Sequence, residues 1–271
     1  METLCHKIDL PDDVTQQILQ FHALPDFPTP LQQLTDENSW TEGLQQVKAS
    51  LGDDPNGYRM LCCMLRCALV AKQEYDRMGI SEEIYYDTMA CFSRFVREHY
   101  ESFDRWGFDR EWWTVRQVSC KLLRIGQLEY EFVTYNGEKA ISLHIPSDAS
   151  LELSGLRASY MQARALITQG FPDYADVPMI CHSWLLSPTL QELLPTSSRI
   201  LKFQDSFEIT GCSATSTSFL QWIYKNAALP LEELPENTTL QRNLKEFLLA
   251  GGSFLTGEGT LIPEPFLQCD L

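Results

Sequence analysis

The side chains best placed to do chemistry gather between residues 129 and 184. Glu129, Glu131 and His144 flank the segment Tyr135-Asn136-Gly137-Glu138. Asn-Gly favours the two-residue turn of a tight β-hairpin. Leu128, Tyr130 and Phe132 alternate with Glu129, Glu131 and Val133, and Ile141, Leu143 and Ile145 alternate with Ser142 and His144. Counting outward from the turn pairs Phe132 with Ile141, Tyr130 with Leu143 and Leu128 with Ile145, so the apolar residues share one face. The same register sets Glu129 opposite His144 and Glu131 opposite Ser142 on the other face. An imidazole opposite a carboxylate can be held in one tautomer and take a proton from an ammonium nucleophile, directly or through a water. Either glutamate could itself deprotonate an amine. The plainer alternatives are a histidine that bonds its own loop and a solvated or ion-paired glutamate face.

Ser147 and Asp148 follow the hairpin and could bind a ligand at a helix entrance or simply cap that helix. Cys181, His182 and Ser183 form a second group, with Trp184 beside them as a stacking platform or a core residue. A strand sends alternate side chains to opposite faces, so Cys181 and Ser183 share a face and His182 points away. A Cys–His dyad between such neighbours is geometrically poor, and cysteine is among the most buried residue types. Tyr130, Tyr160 and Tyr224 are candidate acids for a thiolate leaving group, and no spacing selects one of them. Cys62, Cys63 and Cys67 invite a metal reading, but a closed zinc site needs about four ligands and no histidine stands at metal spacing. Apolar packing on a helix accounts for them, and no metal is expected. Arg242, after a capping box, could reach a carboxylate or phosphate or serve the cap. No phosphate-binding P-loop, nucleotide-binding glycine fingerprint or nucleophile elbow is present.

Composition narrows the partners. In 271 residues there are 21 Lys and Arg against 37 Asp and Glu, a net charge of −16. Nucleic acid is held chiefly by clustered cations, and anionic membranes likewise attract basic segments, so neither is an expected partner. A small anionic ligand needs only a local site. The apolar fraction of 44% suits a packed soluble protein. No apolar run nears the ~18 residues of a membrane span, and Met1–Leu10 lacks a signal core, so a cytoplasmic location is expected. Nine cysteines without a regular framework read as reduced thiols.

The elements that must position these residues come in two periods. The first ~110 residues read as successive helices. Pro11-Asp12-Asp13 opens one that runs to about His22. Leu24 to Pro30 is an irregular, proline-rich connection, and Asn38 or Ser39 caps a helix through Leu51. After the turn cluster Asp53–Gly57, the residues Leu61, Leu65, Ala68, Leu69 and Tyr75 share a helix face. Gly79 ends that helix, Ser81 starts another, and apolar residues recur from Ile84 to His99 at three and four. The two are expected to pack as a helical hairpin.

After the β-hairpin, Leu153 to Ile167 reads as a helix closed by Gly170, and Val177 to Leu186 as a buried strand. Ser187-Pro188 suits a helix start. Ile200 to Ile209 reads as partly strand, Thr238–Gln241 as a capping box, and Ser253 to Ile262 as a last strand. The expectation is an α+β or α/β protein: a helical domain over residues 1–115 and a mixed-sheet domain over 116–271.

Five phrases carry a family resemblance. They are Leu123-Arg124-Ile125-Gly126-Gln127-Leu128, His144-Ile145-Pro146-Ser147-Asp148-Ala149, Cys181-His182-Ser183-Trp184-Leu185-Leu186, Ile200-Leu201-Lys202-Phe203-Gln204, and Leu234-Pro235-Glu236-Asn237-Thr238-Thr239-Leu240-Gln241-Arg242. In this order the chain resembles bacterial acyltransferase-domain proteins with a helical N-terminal domain and a C-terminal domain related to the GNAT N-acyltransferases. The resemblance implies a mixed twisted sheet and transfer of an acyl group from acyl-CoA, as co-substrate, to a small amine. It implies that the thioester carbonyl is polarised at a splayed strand and that the pyrophosphate sits at the N-terminus of the following helix. Under it, His144, Glu129 or Glu131 takes the amine proton. Ser147, Asp148, Ala149 and Ser150 face the donor, and Cys181, Ser183 and Trp184 wall the substrate cleft. The segment from His144 to Ser150 has no glycine and no cation, and Asp148 would repel a pyrophosphate. The alternative expectation is therefore a catalytically inactive scaffold of the same fold that binds a metabolite or a protein partner.

Overall fold

Helical periodicity and turn signals build the first part of the chain, and strand alternation builds the second. A computed structural model describes residues 1–24, 31–214, 217–226 and 228–262. It divides into two units, Met1–Ile125 and Gly126–Leu271. The proline-rich connection expected over Leu24 to Pro30 falls, apart from Leu24, outside the described residues.

The first unit runs α1 (Glu2–Lys7), α2 (Asp12–His22), α3 (Leu31–Leu34), α4 (Trp40–Leu51), α5 (Tyr58–Arg77), α6 (Glu82–Met89), α7 (Cys91–Phe103), α8 (Glu111–Val118) and β1 (Leu122–Ile125). On α5, Leu61, Met64, Leu65 and Ala68 are buried, while Leu69 is exposed rather than in the expected apolar stripe. Cys62, Cys63 and Cys67 are also buried there, and burial pushes the first two thiols up to about 11 and about 12. The buried tyrosines satisfy their hydroxyls on backbone: Tyr75 donates to Gln117 O at 2.8 Å and Tyr85 to Ala68 O at 2.9 Å.

Ser81 caps α6 through its hydroxyl, which accepts the Ile84 N–H. The apolar face from Ile84 to His99 is not one helix, because the chain breaks at Ala90. Just before the break, the Thr88 hydroxyl bonds back to Ile84 O at 2.6 Å and also accepts the Arg124 N–H at 2.9 Å. Such back-bonding competes with the helix ladder and bends it.

The second unit runs β2 (Leu128–Tyr135), β3 (Glu138–His144), α9 (Leu153–Gly170), β4 (Met179–Ser183), α10 (Leu190–Leu193), α11 (Arg199–Gln204), β5 (Phe207–Ser213), α12 (Ser218–Tyr224), α13 (Thr239–Leu249) and β6 (Thr256–Leu261). Its strands lie in the order β2-β3-β4-β6-β5, with β3 and β4 parallel and the other neighbours antiparallel. Asn136 and Gly137 both have positive φ, 51° and 87°, the backbone of a type I′ turn. The hairpin register follows from it: Phe132 pairs with Ile141, Tyr130 with Leu143, Glu131 with Ser142 and Glu129 with His144. The ladder closes at Glu129 and His144, so the expected pair Leu128–Ile145 is not formed.

The apolar face of the hairpin is buried against α9. Tyr130 Oη lies 3.0 Å from Ser159 Oγ, and Phe132 stacks on Phe171 with ring centroids 4.4 Å apart. A second core cluster joins Leu190, Leu193, Phe219, Ile223, Leu244 and Phe254. The capping box forms, with Thr238 and Gln241 bonding each other's backbone at 3.1 Å.

Three expectations about element ends shift. The strand from Val177 shortens to Met179–Ser183, because Trp184–Leu186 turns into a 3₁₀ helix. Ser187 does not cap a helix but is buried before α10. Ile200 to Ile209 is partly strand as expected, with Phe207–Ile209 in β5, while Ile200–Gln204 is helix, capped by Ser198 through the Ile200 N–H at 3.2 Å.

Candidate functional site

Strand alternation puts two sets of residues on opposite faces of the second unit's sheet. Phe132, Ile141, Leu143, Met179 and Cys181 share the α9 face. Glu129, Glu131, Ser142, His144, Ile180 and His182 share the other. On that polar face His144 Nε2 lies 2.8 Å from Glu131 Oε2. The register faces His144 with Glu129, yet the ring bonds the diagonal neighbour Glu131, because the imidazole leans along the strand. A diagonal partner is within reach of long side chains. The His144 and Glu131 side chains keep 24% and 13% of their exposure, so both touch solvent while the bond between them is partly screened from it. Glu129 is buried at 2% exposure, so it is not part of a solvated face.

The parallel pairing of β3 with β4 is short. It joins Ile141 to Met179 and Ser142 to Ile180 and stops there, although β3 continues to His144 and β4 to Ser183. Beyond Ser142 and Ile180 the two strands therefore run on without sharing a ladder. His144 stands at the end of β3, past the last pair that the two strands share.

Past His144 the chain does not enter a helix at once. Pro146 to Ala149 forms a turn, with Ala149 N–H donating to Pro146 O at 3.0 Å. Ser147 and Asp148 lie in this exposed turn and cap no helix. The helix starts five residues further on, with Glu152 at its N-cap position. Its first backbone bond runs from Leu156 N–H to Glu152 O, so the amides of Leu153, Ser154 and Gly155 precede the ladder. Ser150 sits beside this entrance, its N–H donating to Gln127 Oε1 at 2.6 Å.

The cation that the 144–150 segment lacks comes from elsewhere in the chain. Arg199, the first residue of α11, meets Glu152 at 2.6 Å, and Arg157 follows one turn into α9. Arg199 offsets the Glu152 carboxylate at this helix N-terminus, whose leading amides are the groups suited to a phosphate. Sequence reading missed Arg199 and Gln127. Gln127 adjoins the hairpin inside one of the quoted phrases, but nothing local marks Arg199, which is 47 residues past Glu152 in the chain.

Of the residues expected to wall a cleft, Cys181 is fully buried and its thiol is pushed up to about 12 by burial. It carries no nucleophilic thiolate near neutrality. Ser183 caps the following turn, accepting the Leu185 N–H at 3.1 Å. Trp184 packs against the second core cluster. His182 points to the opposite, exposed face, as alternation requires. Glu258 stands across from it on β6 and accepts a hydrogen bond from the Tyr135 hydroxyl. Among the described residues, no group of three or more His, Cys, Asp or Glu side chains is arranged to hold a metal ion, and no helix is long and apolar enough to cross a membrane.

Residues 122–261 match the family described as the GNAT-like C-terminal domain, and residues 1–120 match the N-acyltransferase N-terminal domain. Solved structures share the fold. An acyltransferase in complex with decanoyl-CoA and teicoplanin is 22% identical, with a TM-score of 0.78. An acyltransferase in complex with CoA and 10C-teicoplanin is 21% identical at 0.79, and an acyltransferase mutant in complex with octanoyl-CoA is 20% identical at 0.80. Each comparison covers 96% of this chain and 86% of the other. No curated protein matches the chain.

Proposed function

The chain belongs to the family of the GNAT-like C-terminal domain, and on that premise we propose that it transfers an acyl group from an acyl-CoA thioester to an amine. The observation that carries this reading is the early end of the β3–β4 ladder, on the strand that leads through the 145–152 segment into α9, whose N-cap residue Glu152 meets Arg199. The pantetheine arm of coenzyme A bears amides and can add to unpaired strand edges as an extended segment. The α9 amides and Arg199 suit the pyrophosphate. The acyl-CoA complexes of the structural neighbours support the same donor.

In this proposal His144, held by Glu131, accepts the proton of the attacking ammonium. The amine nitrogen bonds to the thioester carbon, the carbon–sulfur bond breaks, and the thiolate leaves and is protonated. Ser147, Asp148, Ala149 and Ser150 form the outer lip of the donor site, and Ser183 fixes the β4 end. The acceptor is a small amine, or an amine carried on a larger molecule of the kind found with the neighbours.

Thermal unfolding with coenzyme A and acyl-CoAs of increasing chain length tests this. A ligand at about a hundred times its dissociation constant stabilises the fold by roughly 2.7 kcal/mol. A shift that depends on acyl length supports the reading and gives the donor. No shift with any donor overturns it and favours the inactive-scaffold alternative.

A further inference from the structure

A cavity of about 360 Å³ lies within the first unit, lined by α4, the loop before α5, α7, and the segment leading into α8. Nothing in the acyl-transfer reading uses it. Its volume falls in the range of small-molecule sites. Two titratable side chains in its wall are more than nine-tenths buried: His99 at 8% exposure and Glu111 at 7%. Residues this polar are rarely so buried without a partner.

His99 Nδ1 is tied to Arg105 O at 2.9 Å, which makes Nδ1 the donor and leaves Nε2 as an acceptor. Among the described residues Nε2 has no hydrogen-bond partner. Among the described residues the Glu111 carboxylate is met by Lys48 alone, with Nζ 2.5 Å from Oε1, and the Lys48 side chain is 58% exposed. The buried anion is thus answered by a cation that reaches in from solvent.

The rest of the lining tells against an anionic ligand. Two of the N-terminal amides of α5 are already taken, because the Asp54 carboxylate accepts Arg59 N–H at 3.1 Å and Met60 N–H at 2.9 Å. Among the lining side chains, the Glu111, Asp54 and Asp109 carboxylates and the His99 ring stand with one ammonium, that of Lys48, and Asp109 is met by Arg110 at 2.8 Å. The loop is rigidly placed, with Phe108 N–H donating to Asn56 O at 2.9 Å.

We propose that this cavity binds a small primary ammonium compound that carries neighbouring hydroxyl donors, with its ammonium displacing Lys48 from Glu111 and a hydroxyl donating to His99 Nε2. The site is independent of acyl transfer, and its test reads binding alone.

Protein labelled with ¹⁵N-histidine is titrated with glucosamine, using glucose, N-acetylglucosamine and inorganic phosphate as controls. His99→Gln assigns the resonance. The expected result is a saturable shift of the His99 ring nitrogens with glucosamine only. Glu111→Gln should raise the dissociation constant at least tenfold. Lys48→Ala should lower it several-fold, because Glu111 loses its competing cation. The Lys48 side chain is mostly exposed, so this variant decides the matter even where the Glu111 variant fails to fold. Equal binding of the neutral sugars, preference for phosphate, or no tightening in Lys48→Ala overturns the proposal.

Discussion

Removing the carboxylate that holds His144 separates an acid–base role from a structural one. The bond joins two partly buried groups 2.8 Å apart. A hydrogen bond to a charged group contributes about 1.5–3 kcal/mol, and the residual exposure of both side chains argues for the lower half of that range. Glu131→Ala should therefore lower kcat by roughly 10- to 50-fold. Glu131→Gln keeps an acceptor for the Nε2 proton and loses only the charge, so a fall of about five- to tenfold is expected. His144→Ala removes the base itself, and the loss should be about 10²–10⁴-fold, with KM for the acyl donor little changed.

The assay is release of the coenzyme A thiol with the donor found by thermal unfolding, in parallel with melting curves that confirm folding. Added imidazole should restore part of the His144→Ala rate and none of the wild-type rate. The reasoning fails if His144→Ala turns over within twofold of wild type. It also fails if Glu131→Gln turns over as fast as wild type, because the charge would then do nothing.

Arg199→Ala should weaken binding of acyl-CoA about tenfold and leave an S-acyl pantetheine, which lacks the pyrophosphate, unaffected; calorimetric titration of both donors checks this. Gly57→Ala places a Cβ 1.9 Å from the Phe108 carbonyl oxygen at a φ of +68°. It should cost about 1–3 kcal/mol and lower Tm by roughly 3–12 °C in a thermal scan. Iodoacetamide near neutral pH should label exposed Cys212 and spare Cys181, whose thiol is pushed up to about 12, and peptide mass mapping distinguishes them. The same upward shifts at Cys63, Cys120 and Cys181 make stability pH-dependent on the alkaline side. Below the ordinary thiol range both states are protonated and the stability is fully present. As pH rises past it, the unfolded chain ionises while the folded one does not, so urea midpoints should fall progressively above about pH 8.5.

Local signals were enough for much of this protein. The Asn136-Gly137 turn requires positive φ at two successive residues, and once it is placed, the register of the hairpin and the face shared by Glu131 and His144 follow by counting. Periodicity gave α5 and α9, and the capping box of α13 is a contact between residues three apart. Alternation alone put Cys181 and His182 on opposite faces, buried and exposed. Five ordered phrases were enough for the family.

What depended on distance in the chain was not legible. His144 bonds Glu131, diagonal to its register neighbour Glu129, because side-chain lean is not a property of the pleat. Ser147 and Asp148 carry good capping side chains but lie in a turn. The helix start depends on where the backbone of Glu152 can accept its first bond, not on the first capping residue met. A segment without a cation gains Arg199 from a helix 47 residues past Glu152, and the paired burial of His99 and Glu111 joins two helices around one cavity. Sequence by itself determined local dihedrals and faces, since these depend on neighbours a few bonds away. Tertiary structure decided which charges meet, since Coulombic and hydrogen-bond partners are chosen by distance in space.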